Sequence, residues 1–420
     1  MSNVFPPSNA TGLFTSSAFA GRGFGAMLRT PGPELHDLGG IKLPELKTHL
    51  QAAILLELKT LPPYLYAAYS IKAPGPAKWS ILNVAQQEML HLALAGNILC
   101  AIGGEPKLYS LSPPGSGNPP EFPSYPDKMF YQETPLDLRG ATKPNIRTFL
   151  ELERPSILKD IDRVAEALDA YGSIGTFYWA IGEALKFNSN RIGDQALFSG
   201  DKKKQLQYGD GSWYNDEMVV VEDLNSALKA LGIILDQGEG SQRQPPIRGT
   251  GSLDPPPPFA VRSHFEIFED LYKGPPLDCY EVLENPKTKT FETGNQTNIH
   301  KVLLLGDAAF CYLLQTVETL WRTGGGTIKR MHFVNNNLHN IMLYVLRPLS
   351  TFLLSQKVKS ADGTETNIRF NLFFNYYDFK TTGKLKKLQD LAKDAVGEFP
   401  SDKILLEVQK TVNALEDVEN

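Results

Sequence analysis

The 420-residue chain has little cysteine: Cys100, Cys279 and Cys311 lie far apart and form no Cys-x-x-Cys spacing. That excludes a disulfide framework and a thiolate zinc site, and it points to a reducing, cytoplasmic setting. A strong charge of either sign is also missing. Lys plus Arg is 42 and Asp plus Glu is 47, a formal charge of −5, so no general attraction to nucleic acid or an anionic membrane is expected. Long apolar runs are lacking too. Residues 52–56 and 302–314, the second broken by Asp307, fall short of the roughly 18 to 20 residues of a bilayer span, and no transmembrane helix is expected. There is no Walker loop, Gly-x-Ser-x-Gly or dinucleotide fingerprint, which leaves nucleotide and serine-hydrolase chemistry without a signal.

What is present is helical periodicity. Apolar spacing predicts helices over 43–71, 79–102, 157–188 with a break near Tyr171-Gly172, 219–237, 262–271, 297–323 and 330–356. Pro62 and Pro63 should kink the first, and Gly103-Gly104 should end the second. Between helices, 104–145 reads as a Pro/Gly-rich surface excursion with short strands, and 240–259 as a low-complexity insert. Gly324-Gly325-Gly326 is short enough to fold the last two long helices into an αα-hairpin. The expected class is all-α: a helical bundle with Pro/Gly-rich inserts and extra C-terminal helices. Residues 1–42 read as an N-terminal arm rather than a targeting peptide, 43–356 as one helical domain, and 357–420 as an extension with an aromatic cluster and a single surface helix.

Carboxylates and histidines that interrupt buried helices are the informative residues, because an unpaired buried charge costs several kcal/mol. Glu57 stands inside Ala52-Ala53-Ile54-Leu55-Leu56-Glu57-Leu58. Glu88 and His91, at i and i+3, project from one face of the next helix. A Glu-x-x-His pair opposite a lone Glu on a neighbouring helix is the ligand logic of carboxylate metal sites in helical bundles. The competing interpretation is an ordinary ion pair for Glu57 and a chance spacing for the others. Asp307, between Gly306 and Ala308, should need a buried donor and act structurally. His332 and His339 fit core packing better than ligation, and His36, His49 and His300 have no carboxylate pattern beside them.

Leu58-Lys59-Thr60-Leu61-Pro62-Pro63-Tyr64-Leu65-Tyr66-Ala67-Ala68-Tyr69, Glu88-Met89-Leu90-His91-Leu92 and Ala101-Ile102-Gly103-Gly104-Glu105-Pro106 carry a resemblance. So do Ser173-Ile174-Gly175-Thr176-Phe177-Tyr178, Asp236-Gln237-Gly238-Glu239-Gly240 and Ser263-His264-Phe265-Glu266-Ile267-Phe268. Over roughly 43–355 the chain resembles the ferritin-like domain of the iminophenyl-pyruvate dimer synthases of violacein and indolocarbazole biosynthesis. The resemblance implies a metal centre built from Glu57, Glu88, His91, Glu239 and His264. Val261, three before His264, and Thr176 stand where such sites often place carboxylates. Glu183 on the same helix as Thr176 is therefore a further candidate ligand, with Asp236 behind it.

Hard oxygen and imidazole donors suit one or two iron ions, or manganese. The resemblance leaves haem open, although no axial ligand is marked in the sequence. The expected function is a non-haem iron oxidoreductase of specialised metabolism, with a small amino-acid-derived or aromatic substrate and dioxygen or peroxide as partner, in a chain that could form a homo-oligomer. The alternatives are a ferroxidase or metal-handling protein and a metal-free binding protein on the same fold. Tyr64, Tyr66, Tyr178 and Trp179 either line a pocket or fill the core.

Overall fold

The structure is a computed structural model that describes residues 41–129, 135–155, 171, 173–207, 217–238, 262–323, 333–380 and 382–419. At its centre are two long helices, α1 (Leu43–Ser70) and α2 (Pro76–Ala101), packed along each other. Neither has a polar face in its second half. From Thr60 to Ser70 every residue of α1 is buried, as is every residue of α2 from Leu90 onward, which is what helices apolar all round must do. Pro62 and Pro63 lie inside α1, which the structure shows as one continuous helix.

Four shorter helices cover one flank of this pair. They are α3 (Lys143–Leu152), α4 (Ile174–Ile192), α5 (Leu224–Gly238) and α6 (His264–Lys273). α3 packs on α6, α4 on α1 and α5, and α5 on α2. Another flank carries α7 (Thr297–Thr323), π-helical turns at Phe333–His339 and Ile341–Leu346, and α8 (Arg347–Ser355). α7 comes close to α2 at Gly96, where a Cβ would stand 2.1 Å from the Trp321 ring. Asn97, the next residue, is buried and donates to the carbonyls of Leu206 and Val219, fixing that connection against α2.

Several boundaries differ from the sequence reading. The excursion after Gly104 does contain short strands, β1 (Asp127–Lys128) antiparallel to β2 (Pro135–Leu136). It also ends in α3, which the apolar spacing does not announce because only ten residues separate Thr142 from Glu153. The 330–356 helix is π-wound before it is α. Pro348 has no N–H to donate, and the ladder changes register there. The expected hairpin turn at 324–326, the helical start at 157–170 and the 240–259 insert, except its neighbour Gly238, lie outside the described residues.

The tail is not peripheral. After the hairpin of β3 (Lys357–Lys359) and β4 (Glu365–Arg369), Phe370, Phe373, Phe374 and Phe379 are buried in the core. The single expected surface helix is two, α9 (Lys384–Glu398) and α10 (Lys403–Asn413), because Asp402 caps a new start by accepting from Leu405 N at 2.9 Å. Both bury an apolar stripe, α9 against α7 and α10 against α8. α7 corrects the hydropathy argument as well. By length and composition it could cross a membrane, with mean hydropathy 1.3, but 89% of that window is buried inside the protein, as in a core helix.

Asp307 sits in the middle of α7, buried, and accepts hydrogen bonds from Thr288 Oγ1 and from Asn375 N at 2.9 Å. The expected buried donors are therefore present. Burial nevertheless pushes its carboxyl up to about 7, with the two donors only partly opposing. A carboxyl raised in the folded state holds a proton that the unfolded chain has lost, so stability falls as pH rises between about 4 and 7. Relative to Asp307→Asn, the native protein should lose on the order of a few kcal/mol across that window. Urea unfolding of both proteins at pH 5 and pH 8 measures this, and an unchanged difference between them would contradict it.

Candidate metal centre

Five buried side chains from four segments converge between α1, α2 and the helices that cover them. Glu57 comes from α1, Glu88 and His91 from α2, Glu153 from the residue that ends α3, and His264 from the first turn of α6. All are 3% exposed or less. Among the described residues they form two groups able to hold a metal ion, Glu57 with Glu88 and His91, and Glu88 with Glu153 and His264. Glu88 belongs to both. Its Oε2 is 3.3 Å from His91 Nδ1 and its Oε1 is 3.2 Å from His264 Nδ1. Glu57 Oε2 stands 3.7 Å from His91 Nδ1, and Glu153 Oε2 stands 3.6 Å from His264 Nδ1.

Each half is held by the same kind of outer contact. His91 Nε2 meets Gln237 Oε1 at 3.0 Å, and the Gln237 amide donates through Nε2 to Glu217 at 2.7 Å, which fixes its oxygen toward the imidazole. His264 Nε2 meets Gln87 Oε1 at 3.1 Å. With Nε2 committed to an amide oxygen, each ring turns Nδ1 inward, the orienting role that outer hydrogen bonds play for metal-binding histidines. Tyr178 donates its hydroxyl to Glu57 and Tyr64 donates to Glu153. Tyr64 also packs against Phe149 and Phe268, so the Glu153 side is walled by aromatic rings.

Three carboxylates and two imidazoles share this space, and no lysine or arginine is paired with them among the described residues. Burial raises Glu57 well above the usual carboxylate range, helped by the charge of Glu88. Burial also raises Glu153, with His264 opposing it. Glu88 would be raised by burial as well, but the hydrogen bonds from Glu57 and His91 and the charge of His264 hold it well below its ordinary value. Burial would lower His91 and His264, yet the surrounding carboxylates outweigh it and hold them at about 10 and about 9. The cluster thus neutralises its central carboxylate with shared protons, and a cation bound there would displace them.

The donor set fits such a cation. His264 Nδ1 is buried and makes no hydrogen bond, although it lies between two carboxylates. A buried ring nitrogen close to two carboxylate oxygens and hydrogen-bonded to neither suits a cation shared among the three. Oxygen and imidazole donors without thiolate match iron or manganese rather than structural zinc.

Of the residues singled out in the sequence, Glu57, Glu88, His91 and His264 are brought together. Glu183 is not. It pairs with Lys186 at 2.7 Å on α4, and five positions along a helix turn it roughly 140° from Tyr178, the residue that does reach the cluster. Thr176 forms a capping box with Ser173. Asp236 is half-buried on α5, one position before Gln237. Glu239, Val261, His332 and His36 lie outside the described residues. His49 is structural, meeting Tyr171 and the Glu45 carbonyl. Sequence reasoning missed Glu153, although Ile146, Phe149 and Glu153 recur at i, i+3 and i+7, which places Glu153 on the buried stripe of its helix.

Over residues 50–273 the sequence matches the family model described as Ferritin-like. Dichlorochromopyrrolate synthase of Lentzea aerocolonigenes is 23% identical, the match covering 73% of this chain and 34% of that protein. The 2-imino-3-(indol-3-yl)propanoate dimerase of Chromobacterium violaceum is 24% identical, covering 54% of this chain and 23% of that protein. The chain spans about a third or less of these curated relatives. The solved structure of a ferritin-like protein from Caulobacter vibrioides superposes with a TM-score of 0.51 at 23% identity, covering 72% of this chain and 95% of that one. At that identity the likeness concerns the fold.

Proposed function

The chain belongs to the ferritin-like family, and from that premise we propose that it is a metal-dependent oxidoreductase of specialised metabolism acting on a small amino-acid-derived or aromatic substrate. The observation that carries the metal dependence is the pair of buried donor groups sharing Glu88. Two iron ions, or manganese in their place, would supply there the redox capacity that carboxylates and imidazoles lack, with dioxygen or peroxide as electron acceptor. The substrate class is supported by the two relatives, one named for dichlorochromopyrrolate and one for an indolyl imino acid.

The chain's own residues have definable tasks. Glu88 spans both halves. Gln87 and Gln237 orient His264 and His91. Tyr178 and Tyr64 each hold a proton against the outer oxygen of Glu57 or Glu153. Packing around the cluster excludes bulk water, which strengthens every charge interaction inside it.

The test is a comparison of dioxygen uptake and product formation by iron-loaded protein given indole-3-pyruvate with ammonia, phenylpyruvate with ammonia, or Fe(II) alone. Uptake with a coupled or oxidised organic product supports the reading. Dioxygen uptake with Fe(II) alone, ending in stored ferric mineral and no organic product, would make the protein a ferroxidase instead.

A further inference from the structure

A cavity of about 530 Å³ opens between the second half of α1, α2, α7 and the π-helical turns, and none of the five cluster side chains lines it among the described residues. On α2 its walls include Leu82, Ala85, Met89 and Ala93, which at about 100° per residue fall roughly 60 to 140° round the helix from Glu88. On α1, Leu61, Leu65 and Tyr69 follow one another at four-residue spacing along one stripe, and Lys72 stands beyond them at the exposed end. The π-helical turns add Leu338, Met342 and Leu346, and such winding recurs at functional sites. The volume lies within the range of small-molecule pockets.

The wall is mostly apolar, and its polar groups are already engaged, with one buried exception. Lys72 pairs with Asp278 at 2.7 Å, and Lys78 donates to the Ile71 carbonyl at 3.0 Å. Thr351 donates to the Arg347 carbonyl at 3.2 Å, Ser355 donates to that of Phe352 at 2.6 Å, and Ser350 Oγ meets Asn371 at 3.2 Å. Gln86, His339 and Arg347 are engaged as well. The exception is Tyr69, which is 9% exposed, lines the cavity and makes no hydrogen bond among the described residues. Its hydroxyl oxygen is not sealed by protein atoms, and the open space beside Tyr69 is the cavity. Burial pushes the phenol up to about 12, which keeps its O–H in place to donate. A donor without a partner in an apolar chamber calls for one acceptor, because a buried polar group left unpaired costs free energy. No acidic side chain lines the cavity among the described residues, so a cationic ligand would meet no counter-charge. An anion would have to draw Lys72 away from Asp278 or Lys78 away from its carbonyl.

We propose that this cavity binds a neutral, largely apolar molecule of the aryl-ketone type, which accepts one hydrogen bond from the Tyr69 hydroxyl. The site does not depend on the proposed oxidative chemistry, and its binding is measured without metal. Prodan, a neutral naphthyl ketone whose emission moves to the blue in apolar surroundings, should bind the full chain at one saturable site. Its displacement then ranks three ligands of similar shape. 2-Acetylnaphthalene should bind best, with 2-ethylnaphthalene about fivefold weaker for want of the acceptor. 2-Naphthoate should be at least about tenfold weaker, because its charge would be buried without a dedicated partner. Tyr69→Phe should make the ketone and the hydrocarbon equal. Ala93→Phe, which fills the chamber, should abolish saturable binding with the circular dichroism spectrum unchanged. Equal affinity for ketone and hydrocarbon in the native protein would overturn the proposal, as would a preference that survives Tyr69→Phe or the absence of any saturable prodan binding. Tightest binding of 2-naphthoate would give the cavity to an anion instead. Undiminished prodan binding by a folded Ala93→Phe protein would place the ligand outside the cavity and sink the proposal as well.

Discussion

Glu88→Ala is expected to bring tightly held first-row metal from about two equivalents per chain to nearly none, because a metal site without its shared ligand loses both halves at once. Glu88 is the only one of the five residues that approaches both imidazoles, at 3.3 Å from His91 and 3.2 Å from His264. Without it, one side retains Glu57 and His91 and the other Glu153 and His264, two protein donors each. It is also the carboxylate whose charge the cluster stabilises most, held well below its ordinary range despite burial. Elemental analysis after growth in iron- or manganese-supplemented medium measures the effect, with circular dichroism to confirm the fold. Glu183→Ala serves as the contrast and should keep its metal, since that residue is paired with Lys186 on another face. Full metal content in a natively folded Glu88→Ala protein would remove the shared-ligand assignment.

The parts of this site that were legible in the sequence share one property: they are charges in places where a helix can only be buried. Glu57, Glu88 and His91 interrupt helices that are apolar all round, so their burial follows from the apolar pattern alone. His264 was legible only through the resemblance, since its helix shows one polar face and one apolar face. Glu153 was hidden for a different reason. It ends a ten-residue helix beside Glu151 and Arg154, and the charges around it look like solvent-facing sequence until the stripe from Ile146 is counted. Gln87 and Gln237 could not be read at all, because a neutral amide inside a polar-tolerant position carries no signal until its partner is known. Thr176 and Glu183 misled because the expected carboxylate on α4 is replaced in space, not in sequence: α4 contributes the hydroxyl of Tyr178 to Glu57, and the second lone carboxylate arrives from α3. The fold followed the same rule. Long buried helices were found almost to the residue, whereas π-winding depends on where the backbone ladder shifts, which apolar spacing does not report.

His264→Ala should halve the metal content and leave the other half in place, which separates the two donor groups from each other. The imidazole is a donor in only one of the two groups, with Glu88 and Glu153, although its ring stacks on that of His91 with centroids 5.4 Å apart, and its Nδ1 is a buried nitrogen without a hydrogen bond. Removing it leaves the donor group of Glu57, Glu88 and His91 in place, with Gln237 still orienting His91. A merely structural histidine would behave differently. It would cap or pack the start of α6, and its loss would lower thermal stability with no change in bound metal. That role is already filled, because Ser263 accepts from Glu266 N while the Glu266 carboxylate accepts from Ser263 N, closing the helix start without His264. Cobalt(II) substitution gives a second readout, since losing one imidazole changes both the coordination number and the visible bands of the ion on that side only. Two equivalents of metal with an unchanged cobalt spectrum in His264→Ala would remove His264 from the ligand set.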